Sequence, residues 1–188
     1  MTHTENYLAE TVQICHRIDY GKIEALVAEL VALRERKGRL WIAGLGGSAA
    51  NASHAANDFR KLCGIEAYSL TENIAEVTAR ANDEHWLRCL SLEFAVMEDA
   101  LFILSVGGGK TGVSGPLIGV EVLAKTKNMQ ILGIVGRDGG YTAEHGDCVV
   151  IVPTVEASRV TPHTEGWQSV ILHAIVSHPE LQRNPTKW

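Results

Sequence analysis

Four short, nearly unbroken apolar runs constrain this chain more than any other feature. They lie at residues 39–44, 100–105 (Ala-Leu-Phe-Ile-Leu-Ser), 130–135 (Gln-Ile-Leu-Gly-Ile-Val) and 148–152 (Cys-Val-Val-Ile-Val). A strand with one wet face alternates apolar and polar residues; these runs do not. They therefore read as strands buried on both faces, which means a parallel sheet covered by helices. Segments of helical character separate them, at 48–62, 84–97, 115–127 and 138–145, and a long one runs from near Pro162 to about Ser177. A weaker fifth strand is placed at 65–70 (Ile-Glu-Ala-Tyr-Ser-Leu). The alternation predicts an α/β, doubly wound parallel sheet flanked by helices. In such sheets ligands sit at the carboxyl ends of the strands, where the strand order reverses.

Two helices precede the first strand, at 5–18 and 20–36. In the second, Ile23, Leu26, Val27, Leu30, Val31 and Leu33 form an apolar stripe among charges. Arg34-Glu35-Arg36-Lys37 and then Gly38 close it. Residues 1–37 are expected to cover the sheet or another subunit, because an exposed stripe is unfavourable.

With 188 residues, 46% hydrophobic and 21% charged, the chain reads as a single globular domain over 1–188. The net charge of -5 argues against a general nucleic-acid surface. No apolar run approaches the length of a membrane span, and the first residues lack signal-peptide character. Cys15, Cys63, Cys89 and Cys148 are scattered without a C-x-x-C pair, which fits reduced thiols in a cytoplasmic protein. Cys63 reads as a small buried hydrophobe.

Chemistry concentrates where the strands end. The first run closes on Gly44-Leu45-Gly46-Gly47-Ser48 and opens an alanine-rich helix. This is neither the dinucleotide fingerprint nor a P-loop, but a strand, glycine turn and helix start form a ready anion site. The second run ends on Ser105-Val106-Gly107-Gly108-Gly109-Lys110-Thr111-Gly112-Val113-Ser114, and Ser114 is placed to cap the following helix. Two such loops on two strand ends are expected to form one phosphate pocket. It would use the Ser48, Ser105 and Ser114 hydroxyls and the amides of Gly46, Gly47, Gly107 and Gly108. The helix opened by the first turn also carries His54 and Asp58 four residues apart, on one face.

Taken together, Gly44-x-Gly46-Gly47-Ser48, His54 with an acid at 58, Asn82-Asp83, the strand-end serine loop, Gly136-Arg137-Asp138-Gly139-Gly140, and a last helix with Glu165 and His173 resemble the sugar isomerase (SIS) fold. Within it the chain is most similar to the phosphoheptose isomerases, over roughly residues 5–178. That resemblance implies isomerisation of sedoheptulose 7-phosphate to D-glycero-D-manno-heptose 7-phosphate through an enediol(ate). Asp58 then stands at the family's general base and His173 at its catalytic histidine. It also implies a zinc site of His54, Asp58, Glu165 and His173, substrate contacts at Asn82, Asp83 and Glu165, and a homotetramer with sites at subunit interfaces. No nucleic-acid or membrane partner is implied.

Three departures stand out. Asp58 is one methylene shorter than the family's glutamate. Glycines occupy loop positions where relatives carry serines, leaving Ser105, Thr111 and Ser114 as hydroxyls. Glu165 stands where the family often has glutamine. Asp83 reads equally as a helix N-cap after Asn82, and Arg137 as a turn residue or as a contact to a hydroxyl or phosphate. A rival reading is a non-catalytic SIS module that binds a phosphosugar or a protein as a regulator. It needs the pocket but not the acid and base.

Overall fold

The computed structural model describes residues 1–110 and 112–186; Thr111, expected among the loop hydroxyls, lies outside these. Five parallel strands are formed: β1 (Leu40–Ala43), β2 (Ala67–Ser69), β3 (Ala100–Ser105), β4 (Gln130–Val135) and β5 (Cys148–Ile151). Their order in the sheet is β2-β1-β3-β4-β5. The chain therefore moves outward from β1 to β2, then returns to the other side of β1 for β3. That reversal puts the carboxyl ends of β1 and β3 side by side, with Ala43 paired in register to Ile103. Both glycine-rich loops leave from this one point.

All six residues of β3 are buried, as its unbroken apolar run requires. Ala100, Phe102 and Leu104 face one core layer, while Leu101 and Ile103 face the other. The first layer is closed by α1 (His3–Arg17), α2 (Tyr20–Glu35), α3 (Gly47–Asp58) and α7 (Val160–Val176), through side chains such as Ile14, Leu30, Ala56 and Ile171. The second is closed by α5 (Gly115–Thr126) together with the irregular stretch that carries Leu90 and Leu92. Two further helices, α4 (Ile74–Asp83) and α6 (Gly140–His145), complete the set. Among the described residues no helix is long and apolar enough to cross a membrane.

The helix expected at 84–97 does not form. One helix ends at Asp83, a single tight turn spans Trp86–Arg88, and residues 89–99 are irregular. Side chains there offer the backbone other partners. Ser91 Oγ accepts from Glu93 N at 3.2 Å, Asp99 Oδ2 accepts from Val96 N at 3.0 Å, and Lys127 Nζ donates to Ala95 O at 2.9 Å. Asp99 is the anchor. Burial alone would raise its pKa, yet hydrogen bonds from Trp41 and Arg39 hold it below the ordinary carboxylate value. The true helix begins ten residues earlier, where Asn73 caps the Glu76 amide at 3.3 Å, a cap-and-acid pattern visible in Asn73-x-x-Glu76.

The first two helices dock on the sheet and on α7. Glu10 of α1 accepts hydrogen bonds from Arg159 and, at 2.8 Å, from His163 Nε2, while Tyr7 stacks on the His163 ring at 4.3 Å. The Arg159 and then the His163 contacts lower the Glu10 pKa from 4.5 to about 2. Because the folded value is the lower one, this contribution is present above the unfolded pKa and is lost as pH falls through the folded one. Glu10→Gln is therefore expected to flatten the stability–pH curve between about pH 5 and pH 2. Urea midpoints across that range check it; an unchanged acid slope would contradict it.

Candidate active site

A cleft of about 360 Å³ opens between the two glycine loops, lined by Ser48, Ser105, Gly107, Lys110, Ser114 and Arg137 among others. Its floor carries an unusual polar atom: Ser48 Oγ is buried and has no hydrogen-bond partner among the described residues. A buried hydroxyl left unpaired is costly, so this one is set to receive a ligand. Gly46 precedes α3 with φ +60° and provides no side-chain cap. Ala49 N–H already donates to Gly46 O at 3.0 Å, so it is the Gly47 and Ser48 amides that stay unpaired within the helix. Arg137 sits in the left-handed region at φ +54°, with its stem against Gly107. Lys110 bridges the mouth to Asp138 at 3.1 Å, and that contact lowers the Asp138 pKa.

Two expectations about this pocket are corrected. Ser114 does not cap α5. It adopts φ +60° and its side chain makes no cap bond; the residue lines the cleft instead. The amides of Gly107 and Gly108 are not open to an anion either, because both donate to Ser105 Oγ, at 3.3 and 3.0 Å. Gly108 does not line the cleft at all. It packs on the next loop so tightly that an added Cβ would lie 1.7 Å from Gly139 O.

The helices α3 and α7 run side by side in the same direction. At their start Gly47 meets Glu165; a Cβ on Gly47 would lie 2.5 Å from Glu165 Oε2. One turn on, Asn51 Nδ2 donates to Glu165 O at 2.9 Å and to Gln168 Oε1 at 3.0 Å, while Asn51 Oδ1 accepts from Ser169 Oγ at 2.9 Å. At the far end His54, Asp58 and His173 converge. Asp58 Oδ2 lies 3.2 Å from His54 Nε2 and 3.8 Å from His173 Nε2. The imidazoles meet edge to face at 5.1 Å, and Asn57 Nδ2 donates to Asp58 Oδ1 at 3.0 Å. Both histidines are more than half exposed, whereas the Asp58 side chain is only 16% exposed. Three donor atoms thus lie within 4.8 Å of one another. A tetrahedral zinc ion holds donors about 3.3 Å apart, so the N,N,O set fits such an ion and leaves one position open.

Glu165 is not part of this cluster. Eight residues separate it from His173, which is about 12 Å along a helix; counting only the angle around the axis missed that rise. Glu165 instead places its carboxylate at the start of α3, beside the cleft. Asn82 and Asp83 lie exposed at the end of α4 and bond each other at 2.7 Å, reaching neither group of their own chain. The other polar residues of α7 have structural partners: His163 binds Glu10, and Gln168 is fully buried against Asn51. His178 pairs with Glu24 at 3.2 Å. Burial pushes the Cys63 thiol up to about 12, which makes it inert. Sequence reasoning overlooked Asn51 and Thr161. A polar residue interrupting an alanine face was the available sign of Asn51; Thr161, a cleft residue at the start of α7, gave none.

Glu165 leads to a specific expectation. Its charge faces the same helix start that attracts an anion. Glu165→Gln should tighten binding of inorganic phosphate about fivefold, on the order of 1 kcal/mol for one like charge removed near the surface. Calorimetric titration checks this; unchanged or weaker binding would count against it.

A five-stranded parallel sheet in this order, with its cleft at the β1/β3 reversal, is a doubly wound fold, and among solved structures it is the fold of sugar isomerase domains. Solved structures share the fold. A phosphoheptose isomerase from Neisseria gonorrhoeae superimposes with TM-score 0.80 at 22% identity, covering 92% of this chain and 95% of that one. One from Francisella tularensis gives 0.77 at 17% identity, covering 94% and 97%. No family model matches. Among sequences, the phosphoheptose isomerase of Roseiflexus sp. is 31% identical over 146 residues, 73% of this chain and 72% of its own. That of Sulfurimonas denitrificans is 32% identical over 145 residues, 74% of each. The chain belongs to the phosphoheptose isomerase family and is a sugar-phosphate isomerase.

Proposed function

We propose that this chain converts sedoheptulose 7-phosphate to D-glycero-D-manno-heptose 7-phosphate, with Asp58 and His173 as its acid–base pair. The observation that carries this reading is that one helix, α3, joins an anion cleft to an imidazole–carboxylate cluster. Six residues of α3, about 9 Å, separate Ser48 from His54. An extended seven-carbon phosphate spans about 10 Å from phosphorus to C1. With its phosphate among Ser48, Ser105, Ser114 and Arg137, the sugar reaches the level of His54, and the Asp58 carboxylate, 3.2 Å from His54 Nε2, meets C1 and C2 there. Glu165 lies along the path, where its carboxylate accepts from sugar hydroxyls.

Asp58 takes the proton from C1 of the ketose and returns it to C2. His173 moves the hydroxyl proton between O2 and O1, so that the enediol(ate) collapses to the aldose. His54 and Asn57 hold the Asp58 carboxylate in place. His54, Asp58 and His173 would hold zinc, which when bound supplies Lewis-acid stabilisation of negative charge on the sugar oxygens.

The reading extends to a cytoplasmic homotetramer. Leu8 and Val12, exposed on α1 four residues apart, support burial of that face against another copy. Across such an interface Asn82 and Asp83 are free to serve a neighbour's site. A purely regulatory module needs the cleft but has no use for the cluster.

Substrate length tests the assignment. Sedoheptulose 7-phosphate is expected to turn over about a hundredfold faster, by kcat/KM, than ketose phosphates one or two carbons shorter, because displacement by one bond misaligns C1 with the base. Equal or better turnover of a shorter ketose phosphate would overturn the seven-carbon assignment.

A further inference from the structure

Glu121 has no part in the chemistry above, yet it is the most completely buried carboxylate of the described chain. It sits on the inner face of α5 at 0% exposure. Its Oε1 lies 2.8 Å from Thr142 Oγ1, and its Oε2 has no partner. Thr142, also fully buried, lies 3.0 Å through the same Oγ1 from the carbonyl of Gly108, which also accepts Thr142 N–H at 2.9 Å.

Counting protons decides what this chain of contacts can be. A threonine hydroxyl has one hydrogen. The Gly108 carbonyl can only accept, so if Thr142 donates to it, the proton between Thr142 and Glu121 must come from the carboxyl. A neutral acid also tolerates an unpaired second oxygen in an apolar site far better than a carboxylate does. We propose that Glu121 is a positioning residue, a protonated acid whose hydrogen bond to Thr142 completes a relay that fixes Gly108 and the loop carrying Ser105 and Lys110. If Glu121 loses its proton, Thr142 must turn to the carboxylate, and Gly108 keeps only the amide bond.

The surroundings agree. Burial raises the Glu121 pKa from 4.5 to about 7, against the smaller opposing effects of the Thr142 bond and of Lys125 one turn along α5. Strands β3 and β4 carry no ionisable residue, and from α6 it is Thr142 that faces the carboxyl. The relay would therefore make loop order sensitive to pH near neutrality. That the loop grips an anion rests on the function proposed above; the relay itself does not.

Amide hydrogen exchange of the whole chain tests it. In the wild type, protection of the Thr142 amide, corrected for intrinsic exchange, should fall about fivefold from about pH 6 to about pH 8, the effect of one neutral hydrogen bond. Carbon NMR of labelled glutamate carboxyls should show Glu121 titrating over the same range. In Glu121→Gln, whose amide can still donate to Thr142, protection should stay flat and high. In Glu121→Leu it should be flat and low. The proposal fails if Glu121 titrates in the ordinary carboxylate range, if wild-type protection ignores its titration, or if the Gln variant behaves like the Leu variant. Titration with sulfate separates the two ideas. An intact relay with no sulfate bound refutes the anion-gripping loop alone, whereas sulfate bound equally at both pH values by a loop of constant protection refutes the relay.

Discussion

Asp58→Asn should lower kcat about a thousandfold, on the order of 4 kcal/mol of transition-state stabilisation, while sugar-phosphate affinity stays within about threefold. The asymmetry follows from the layout of α3. Asp58 lies ten positions beyond Ser48, about 15 Å along the helix, so the cleft does not feel the change. Asparagine keeps the shape and the contact to Asn57 but cannot accept a proton from carbon. Zinc content of the same sample separates the two roles of the side chain. A base-only Asp58 leaves the metal in place; a residue that is also a ligand loses metal and turnover together. Retained turnover within tenfold of wild type would remove Asp58 from the mechanism.

Gly108→Ala should be the most damaging single change of a glycine to alanine in the site. Its φ of +62° costs a side chain about 1 kcal/mol. The new Cβ would also lie 1.7 Å from the Gly139 carbonyl, and backbone cannot swing aside as a side-chain tip can. Overpacking of this kind adds about 1–3 kcal/mol. A total near 3 kcal/mol lowers the melting temperature by about 6–12 °C for a chain of this size. Anion affinity should fall with it, since displacing Gly108 pulls its amide from Ser105 Oγ. A melting temperature within about 2 °C of wild type would show that the two loops are not locked together.

The sheet was legible because burial on both faces writes itself as unbroken apolar runs, and each of the four runs became a strand. The helix error has a definite cause. Leu90 and Leu92 are buried without regular structure, in a stretch held locally by Ser91 and Asp99 and from the end of α5 by Lys127, a partner that tertiary structure alone supplies. The two-loop cleft was visible as a pair of strand-end glycine clusters, but their adjacency depends on the β1/β3 reversal, which no local pattern records. His54, Asp58 and His173 were accessible from helical spacing together with family resemblance. Glu165 was misplaced because angular proximity on a helix does not shorten its rise. The capping role expected of Ser114 failed for a backbone reason: next to Gly115 and Pro116 at the start of α5 the residue is left-handed, and its side chain makes no cap bond.

The central claim is that the cleft and the cluster act on one molecule. Sedoheptulose 7-phosphate, given to the wild-type protein in deuterated water and followed by NMR, tests it most directly, with zinc measured in the same sample. Deuterium should enter C2 of an aldoheptose phosphate and return to C1 of the ketose, and both signals should vanish in Asp58→Asn. A zinc-loaded protein that binds the sugar phosphate yet exchanges no proton at either carbon would contradict it.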